Sequence, residues 1–506
     1  MKHVDVAIIG AGPVGLLLAI EMAIAGVDCV VLETLAEPDT VQKALSLGPL
    51  GAEVLMRRGF SSQLDALEAR TRAVMAPFMQ RGGWGANEES KPRFSGHFGG
   101  IPLLTQPIDR SRPTRLIDQR FLQEFLLSEV KERGIPLRRP CTVTDVQSNE
   151  ESVTLSLQDA HGRKEALACH YAIGCDGGRS FMRRHGQFAF PGTAPSLAFY
   201  QVFAEFADPD QTPPPGWLMQ PGGVLAYGPV PGRLFMVDFS GPPPKELREP
   251  AQSQVEEALA RVCGYPVPLK AFRGGRCWTD HTRLVDTYRK GRLILAGDAA
   301  HIHPPFGGQG LGLGLIDAAN LGWKLAAVVH GRMPETQLDS YEAERRPVAR
   351  EVLDNTLAQT ALMRPDPQSR ALRALMAQRL SDEGESATLS SRIKGFTLRY
   401  SLGGSHDAVG RLVADQPLCD GRQLYDLMVT GRGVFLQARG VASGRKNRFP
   451  SSIVQGESEG KISCLIRPDG CIAWAGEGND VSGLDDAMAR WFGSNLRGAD
   501  LTGSVT

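Results

Sequence analysis

The chain has 506 residues, 42% apolar and 22% charged, with 56 Lys+Arg balanced by 56 Asp+Glu. That composition is globular, and the length predicts about three domains. The balanced charge, with no long basic run, argues against nucleic acid as a partner. Nine cysteines without a C-x-x-C pair argue against a zinc site, any metal centre or a redox disulfide, and suit a reducing cytoplasm.

The first predicted element is a buried strand, Val4 to Ile9 of "VDVAIIG", followed by "AGPVG" and an apolar helix that stops at Gly26. A second strand, "VDCVVLE", ends on Glu33. Asp5 and Glu21 interrupt the apolar run, which excludes a signal peptide or a membrane helix. The unit is strand, G-x-G-x-x-G, helix, strand, acid. Gly10 permits a tight turn, Gly12 lets a pyrophosphate approach the backbone, and Gly15 allows close helix–strand packing. The helix, opening at Pro13, offers N–H groups and a favourable dipole to phosphates. Glu33 suits an unphosphorylated ribose, as in FAD or NAD.

Residues 35–115 read as an irregular excursion with short helical pieces. "DQRFLQEFLLSEVKERG" (118–134) has the periodicity of an amphipathic helix. "CTVTDVQSN" and "SVTLSLQDAHG" read as paired strands. "ACHYAIGCDGGRS" then repeats the pattern of apolar strand and glycine, with Asp176 and Gly177 after the strand. Residues 190–280 alternate as a mixed β-sheet rich in aromatic residues, one wall of a cavity. Phe199, Gln201, Tyr227, Met236 and Phe239 are candidate lining residues, although ordinary sheet core accounts for each equally well.

"GRLILAGDAAHIHPPFGGQGLGLGLIDAANL" gives a third strand, Leu293 to Ala296, then Gly297 and Asp298. Five glycines fall between 307 and 314, ahead of a helix. Such clustering means that the backbone comes close to something. "GGWGAN" (82–87) and "GGQGLG" (307–312) are not in strand–turn–helix–strand–acid units, so one dinucleotide is held tightly. After residue 365 the chain is polar and helical. From about 415 it reads as strands, with "LIRPDGCIAW" a hairpin on a Pro-Asp-Gly turn.

The three glycine segments, in this order, resemble the single-component FAD-dependent aromatic hydroxylases, the family of p-hydroxybenzoate and phenol hydroxylases. The chain is most similar to the longer bacterial members that tailor polyketides. The resemblance implies an α/β fold. It implies a Rossmann-like FAD-binding domain (1–185 and, with a helical linker, 281–395), an inserted β-sheet substrate domain (186–280) and a thioredoxin-like C-terminal domain (396–506). It implies FAD on Gly10, Gly12, Pro13, Gly15, Glu33, Lys43, Gln119, Val143, Asp176, Gly177, Asp298, Pro305, Gly308, Gly310, Leu311 and Gly312, with Pro305 also against the substrate. NADPH or NADH serves as a transient co-substrate. O2 and a small aromatic substrate complete the reaction, hydroxylation through a flavin C4a-hydroperoxide. Baeyer–Villiger insertion or epoxidation stays open as an alternative, as does a non-catalytic FAD-binding protein. A halogenase lacks its lysine and tryptophan-rich motif here. The expected protein is a monomer or homodimer, with no membrane partner and no catalytic base assignable; His301 and His303 read as structural. Thr34, Lys43-Ala44, Leu50 and Gly310-Leu311-Gly312 depart from family arginine and G-L-N patterns, which touches the phosphate contacts rather than FAD binding itself.

Overall fold

The structure is a computed structural model that describes residues 2–81, 94–208, 210, 212–214, 216–244, 247–404, 406–441 and 449–493. The segment "GGWGAN" lies outside these residues.

The strand Lys2–Ile9 forms the centre of an eight-stranded sheet. It pairs in parallel with Cys29–Leu32 on one side and with Lys164–Gly174 on the other, and Leu293–Leu295 extends the parallel set. The inner stretches of these strands, residues 6–9, Cys29–Leu32, residues 171–174 and Leu293–Leu295, are apolar and buried, because helices and loops cover both faces there. The helix Pro13–Ile24 packs on one face, and its core side chains, Leu16 through Ile20, are fully buried. The paired strands Cys141–Ser148 and Val153–Asp159 add an antiparallel edge through Lys164–Gly174.

The excursion expected as irregular contains the helices Pro49–Met56 and Ser61–Arg81, the latter 21 residues long despite Pro77. The second sheet also corrects the expectation. It is antiparallel throughout rather than mixed, in the order Gly216–Gln220, Gly223–Tyr227, Arg233–Asp238, Ala198–Phe206, Leu269–Thr279. The helix Gln252–Cys263 covers its rear face, packing Val255, Ala258 and Leu259 against Tyr200, Val202 and Met236.

The helix Gly310–Val329 is the axis of the molecule. The segment Phe306–Val329 is long and apolar enough to cross a membrane, but 89% of its most apolar window is buried inside the protein, as in a core helix. Gly314 and Gly322 let it approach the first helix. A Cβ at Gly314 would lie 2.7 Å from Val14 Cγ2, and one at Gly322 2.7 Å from Glu21 Cβ. Gly314 is therefore explained by helix–helix contact, so the glycine run serves two purposes.

The C-terminal region forms a four-stranded sheet ordered Ile453–Ser458, Gly433–Ala438, Ile462–Ile466, Ile472–Glu477, with the helix Leu484–Phe492 after it. The first two strands are parallel and the others antiparallel. Its Pro-Asp-Gly hairpin turn carries Arg467 and Asp469 into the main core, where both are fully or nearly fully buried. There they meet Glu344 of the helix Asp339–Met363 and Asn320 of the axial helix, and Lys324 joins through Glu344.

Candidate active site

The three glycine segments meet at the carboxyl ends of adjacent parallel strands. Gly10 N–H donates to the Leu32 carbonyl (2.8 Å), Cys175 N–H to Ile9 (2.8 Å) and Ala296 N–H to Gly174 (3.0 Å). The ladder thus runs on into the loops and aligns them. In such sheets ligands bind outside these strand ends.

The fingerprint loop has the shape of a phosphate cradle. Gly10 has φ +110°, and a Cβ there would lie 2.4 Å from the Cys175 carbonyl oxygen. A Cβ at Gly15 would lie 2.1 Å from the Gly10 oxygen. At Gly12 a Cβ would meet no protein atom within 4 Å, so that side of the loop is open. Gly12 gives the helix no side-chain cap, and the buried Pro13 opens it. The amides there are left for a ligand oxygen. Glu33 accepts from Ala11 N–H and from Leu35 N–H, each at 2.8 Å, which fixes its carboxylate beside the loop. Val143 is buried on its strand, which is tied to Glu33 by Cys141 N–H donating to the Glu33 carbonyl (2.8 Å).

Gln119 opens its helix, donating its N–H to the Ala44 carbonyl at 3.0 Å, while its side-chain oxygen accepts from Ala44 N–H at 3.5 Å. The glutamine that reaches the fingerprint loop is Gln123, one turn on, whose Nε2 donates to the Ala11 carbonyl at 2.9 Å. Sequence reasoning missed it, although the four-residue helical spacing was available. Lys43 is largely exposed and pairs with Asp39 at 3.4 Å.

Asp176 accepts from Met182 N–H at 3.0 Å, while its second oxygen is buried with no hydrogen-bond partner among the described residues. Burial raises its pKa. Gly177 takes φ +76° at the turn that follows. Arg183 then ties this segment to the third, donating to the Gly178 carbonyl (2.8 Å) and the Ala299 carbonyl (3.0 Å). Asp298 stands exposed in a short helical turn, Gly297–Ala299. Pro305 is exposed, Gly307 and Gly308 have φ of +76° and +63°, and Gly310, Leu311 and Gly312 form the uncapped first turn of the axial helix.

His301 lies behind this turn, fully buried, with Nε2 2.7 Å from Asp317. Asp317 also accepts from Arg345 Nε (2.7 Å) and Gly297 N–H (3.2 Å). Burial would raise the Asp317 carboxyl, but Arg345 and His301 outweigh it and hold the group below its usual value. His303 bonds the Pro304 carbonyl, and burial lowers its pKa.

The second sheet turns its front face to Phe306 of this turn. Phe199 meets Phe306 edge-on at 5.6 Å and stacks on Phe235 at 5.9 Å and Trp278 at 5.6 Å. Phe239 packs against the same cluster. Gln201 shares the front face. It accepts from Arg233 Nη2 at 2.9 Å and donates to the Gln42 carbonyl. Burial lowers the Arg233 pKa to about 10. Tyr227 and Met236 are corrections: they lie on the rear face with the helix Gln252–Cys263 and do not face the Phe306 turn. This sheet is covered on both sides, so odd and even positions are equally apolar and alternation does not reveal which face is which. Phe235, Trp278 and Phe306 were missed, though Phe306 adjoins Pro305 directly.

Residues 3–356 match the family description "FAD binding domain", and residues 406–495 match "Aromatic-ring hydroxylase, C-terminal". A Streptomyces rimosus protein described as 12-dehydrotetracycline 5-monooxygenase/anhydrotetracycline 6-monooxygenase is 36% identical, covering 97% of this chain and 99% of its own. Rifampicin monooxygenase of Streptomyces venezuelae is 35% identical over 98% and 100%. The solved structure of OxyS anhydrotetracycline hydroxylase from Streptomyces rimosus superposes with a TM-score of 0.83 at 34% identity, covering 97% and 100%. The chain belongs to the FAD-dependent aromatic-ring hydroxylase family. It is a flavin monooxygenase that uses NAD(P)H and O2.

Proposed function

We propose that this chain hydroxylates a phenolic, multi-ring aromatic compound of the polyketide type, taken up between the Phe306 turn and the front of the second sheet. The observation that carries this reading is the wall of packed rings, Phe199, Phe235, Trp278 and Phe306, set against the uncapped helix start that follows Pro305. The relatives named for tetracycline and rifampicin oxidation support a large ring system.

The open side of Gly12, the uncapped helix start and the orphaned Asp176 oxygen fit FAD. Gly10, Gly12, Pro13 and Gly15 would hold its pyrophosphate, with Glu33, Val143 and Gln119 around the ADP half and Lys43 as a point charge. Asp176, Gly177 and Asp298 would take the ribityl side. Bound there, FAD supplies the redox chemistry, accepting a hydride from NAD(P)H and passing one atom of O2 to the substrate. The N–H groups of Gly310, Leu311 and Gly312 would stabilise negative charge on the reduced ring as preorganised donors, with Gly308, whose own N–H bonds the Pro305 carbonyl at 3.3 Å, shaping the turn beside them. The aromatic wall excludes water, which would otherwise divert the oxidant to peroxide.

In this reading the parallel sheet is a Rossmann-like FAD domain (1–185 and 281–395), interrupted by the substrate domain at 186–280. The C-terminal unit, 396–506, is thioredoxin-like in strand order, without a redox cysteine pair. The protein works in the cytoplasm as a monomer or homodimer.

The test is direct. Purified yellow protein is supplied with NADPH or NADH in air and a panel of mono- and polycyclic phenols. The expected result is substrate-stimulated cofactor oxidation and a product 16 Da heavier carrying a new ring hydroxyl. A product with the same mass gain but an inserted ester oxygen would replace hydroxylation by Baeyer–Villiger chemistry. No stimulation by any phenol would overturn the reading.

A further inference from the structure

Paired residues across an antiparallel sheet share a face, so its front side is organised in rows. One row runs Trp217, Ala226, Phe235, Gln201, and the next runs Met219, Val224, Val237, Phe199. The inner members are buried against the flavin turn. The outer members are not: Trp217 is 41% exposed and Met219 39%. Both stand on Gly216–Gln220, the edge strand of the sheet.

Trp217 is nonetheless part of the aromatic wall. Its ring lies 5.6 Å from Phe235 and 6.3 Å from Phe306, the side chain of the flavin turn. Among the described residues its nearest ring neighbour belongs to another element. His97, from the strand Phe94–Phe98, lies 4.4 Å away, tilted by 50°. That strand packs on the turn Phe306–Gly308. The pair therefore bridges the substrate sheet and the flavin turn where the wall reaches solvent. His97 Nδ1 accepts from Gly100 N–H at 3.3 Å, which assigns the proton of the neutral ring to Nε2. Burial holds the His97 pKa down, to about 4, so the ring is neutral at working pH.

We propose that Trp217 and His97 form the portal of the substrate cavity, a shelf on which a flat multi-ring substrate stacks and which selects for ring number. A solvent-facing indole joined to a dry aromatic wall is a stacking platform, and the His97 Nε2–H is the donor available to a carbonyl or hydroxyl oxygen at the substrate's rim. The inference rests on the hydroxylase reading above. It differs in naming the residues that discriminate between substrates.

The probes are 1,8-dihydroxyanthraquinone, with three rings, and resorcinol, with one. Losing a ring contact changes affinity by up to about tenfold. In the FAD-loaded enzyme, Trp217→Ala raises KM for the three-ring probe by that order and for resorcinol several-fold less, while Trp217→Phe keeps most of the selectivity. His97→Phe keeps the stacking surface but raises KM for the dihydroxyanthraquinone. Flavin absorbance and melting temperature establish that each variant is folded. Binding is read separately, without turnover, as quenching of indole fluorescence by dihydroxyanthraquinone, and Trp217→Phe diminishes it. Equal KM changes for both probes, or quenching undiminished in Trp217→Phe, overturn the portal. So does light scattering in which Trp217→Ala splits a dimer while selectivity stays intact, which would make the patch an interface between copies. Failure of both probes to stimulate NAD(P)H oxidation in the parent enzyme counts against the hydroxylase reading, and the quenching arm still decides the portal.

Discussion

Arg467 grips Glu344 through two parallel hydrogen bonds, Nη1 to Oε1 at 2.8 Å and Nη2 to Oε2 at 2.7 Å, across 123 residues of sequence. Both side chains are almost completely buried, and Arg467 also bonds Asp469. The C-terminal region is thus joined to the helices behind the Phe306 turn by charge-assisted bonds in a dry core. Removing one partner of such a pair leaves an uncompensated charge, a loss of about 3–5 kcal/mol. Arg467→Ala is expected to lower the melting temperature of the FAD-loaded protein by several degrees and to release flavin at lower temperature. Melting followed by flavin fluorescence checks this, and an unchanged curve would show that the contact contributes nothing.

The same network sets an acid limit. For Glu344 and Asp469 burial pushes the carboxyls up, but Arg467 outweighs it, and Arg345 does the same for Asp317; all three lie below their usual values. A depressed carboxylate adds stability above its unfolded pKa, about 4, that is lost as pH falls through that value and below. Lys324 acts in the opposite direction. Burial lowers its pKa to about 8, so its cost is present below pH 8 and is relieved as pH rises towards the unfolded value of about 10.4. Melting temperature is therefore expected to fall steeply below pH 4.5. Comparison with Lys324→Met between pH 8 and 10 should show the parent gaining relative to the variant. A parallel pair of curves would refute the alkaline assignment.

Gly12 separates fold from cofactor. A Cβ there touches no protein atom, and its φ of −75° is ordinary for any residue. Gly12→Ala is expected to melt like the parent apoprotein yet bind FAD at least about tenfold more weakly, because the methyl takes the pyrophosphate's place. Gly10→Ala, by contrast, must push against the Cys175 carbonyl at φ +110° and is expected to fail in folding as well. Equal FAD affinity in Gly12→Ala would move the phosphates elsewhere.

Asp298 is the exposed acid of its turn, and Asp298→Ala is expected to weaken FAD binding without altering the apoprotein's stability. Gly312→Asn is expected to retain FAD, since the nearest atom to a Cβ there is Gly51 Cα at 3.8 Å, an ordinary contact. Isothermal titration of both apoproteins with FAD distinguishes them. Full affinity in Asp298→Ala would displace the ribityl chain from this turn.

The parts of the site that were legible in the sequence are those where backbone geometry demands particular residues. Gly10, Gly15 and the strand-then-glycine segments at 174–177 and 295–298 announce themselves because other residues would clash or strain. Side-chain direction was not legible. Nothing local distinguishes Phe199 from Met236, since the helix that claims the rear face lies farther along the chain. Gln123 was hidden by the more familiar Gln119. The Arg467–Glu344 bond joins two segments whose individual patterns are those of an ordinary turn and an ordinary exposed helix, so their charges read as solvated. Gly314 looked like part of the flavin turn because glycine reports close approach without saying to what, and here the answer is Val14.

The separation of the two sheets has an evolutionary consequence. The glycine loops grow from the eight-stranded sheet, whereas Trp217 and Met219 stand on a margin strand that, among the described residues, hydrogen-bonds to a single neighbour, Gly223–Tyr227. A mutation on that margin disturbs one ladder and leaves the backbone of the glycine loops in place. Under the proposed portal, the rim can therefore change one side chain at a time while the fold that carries the glycine loops stays as it is.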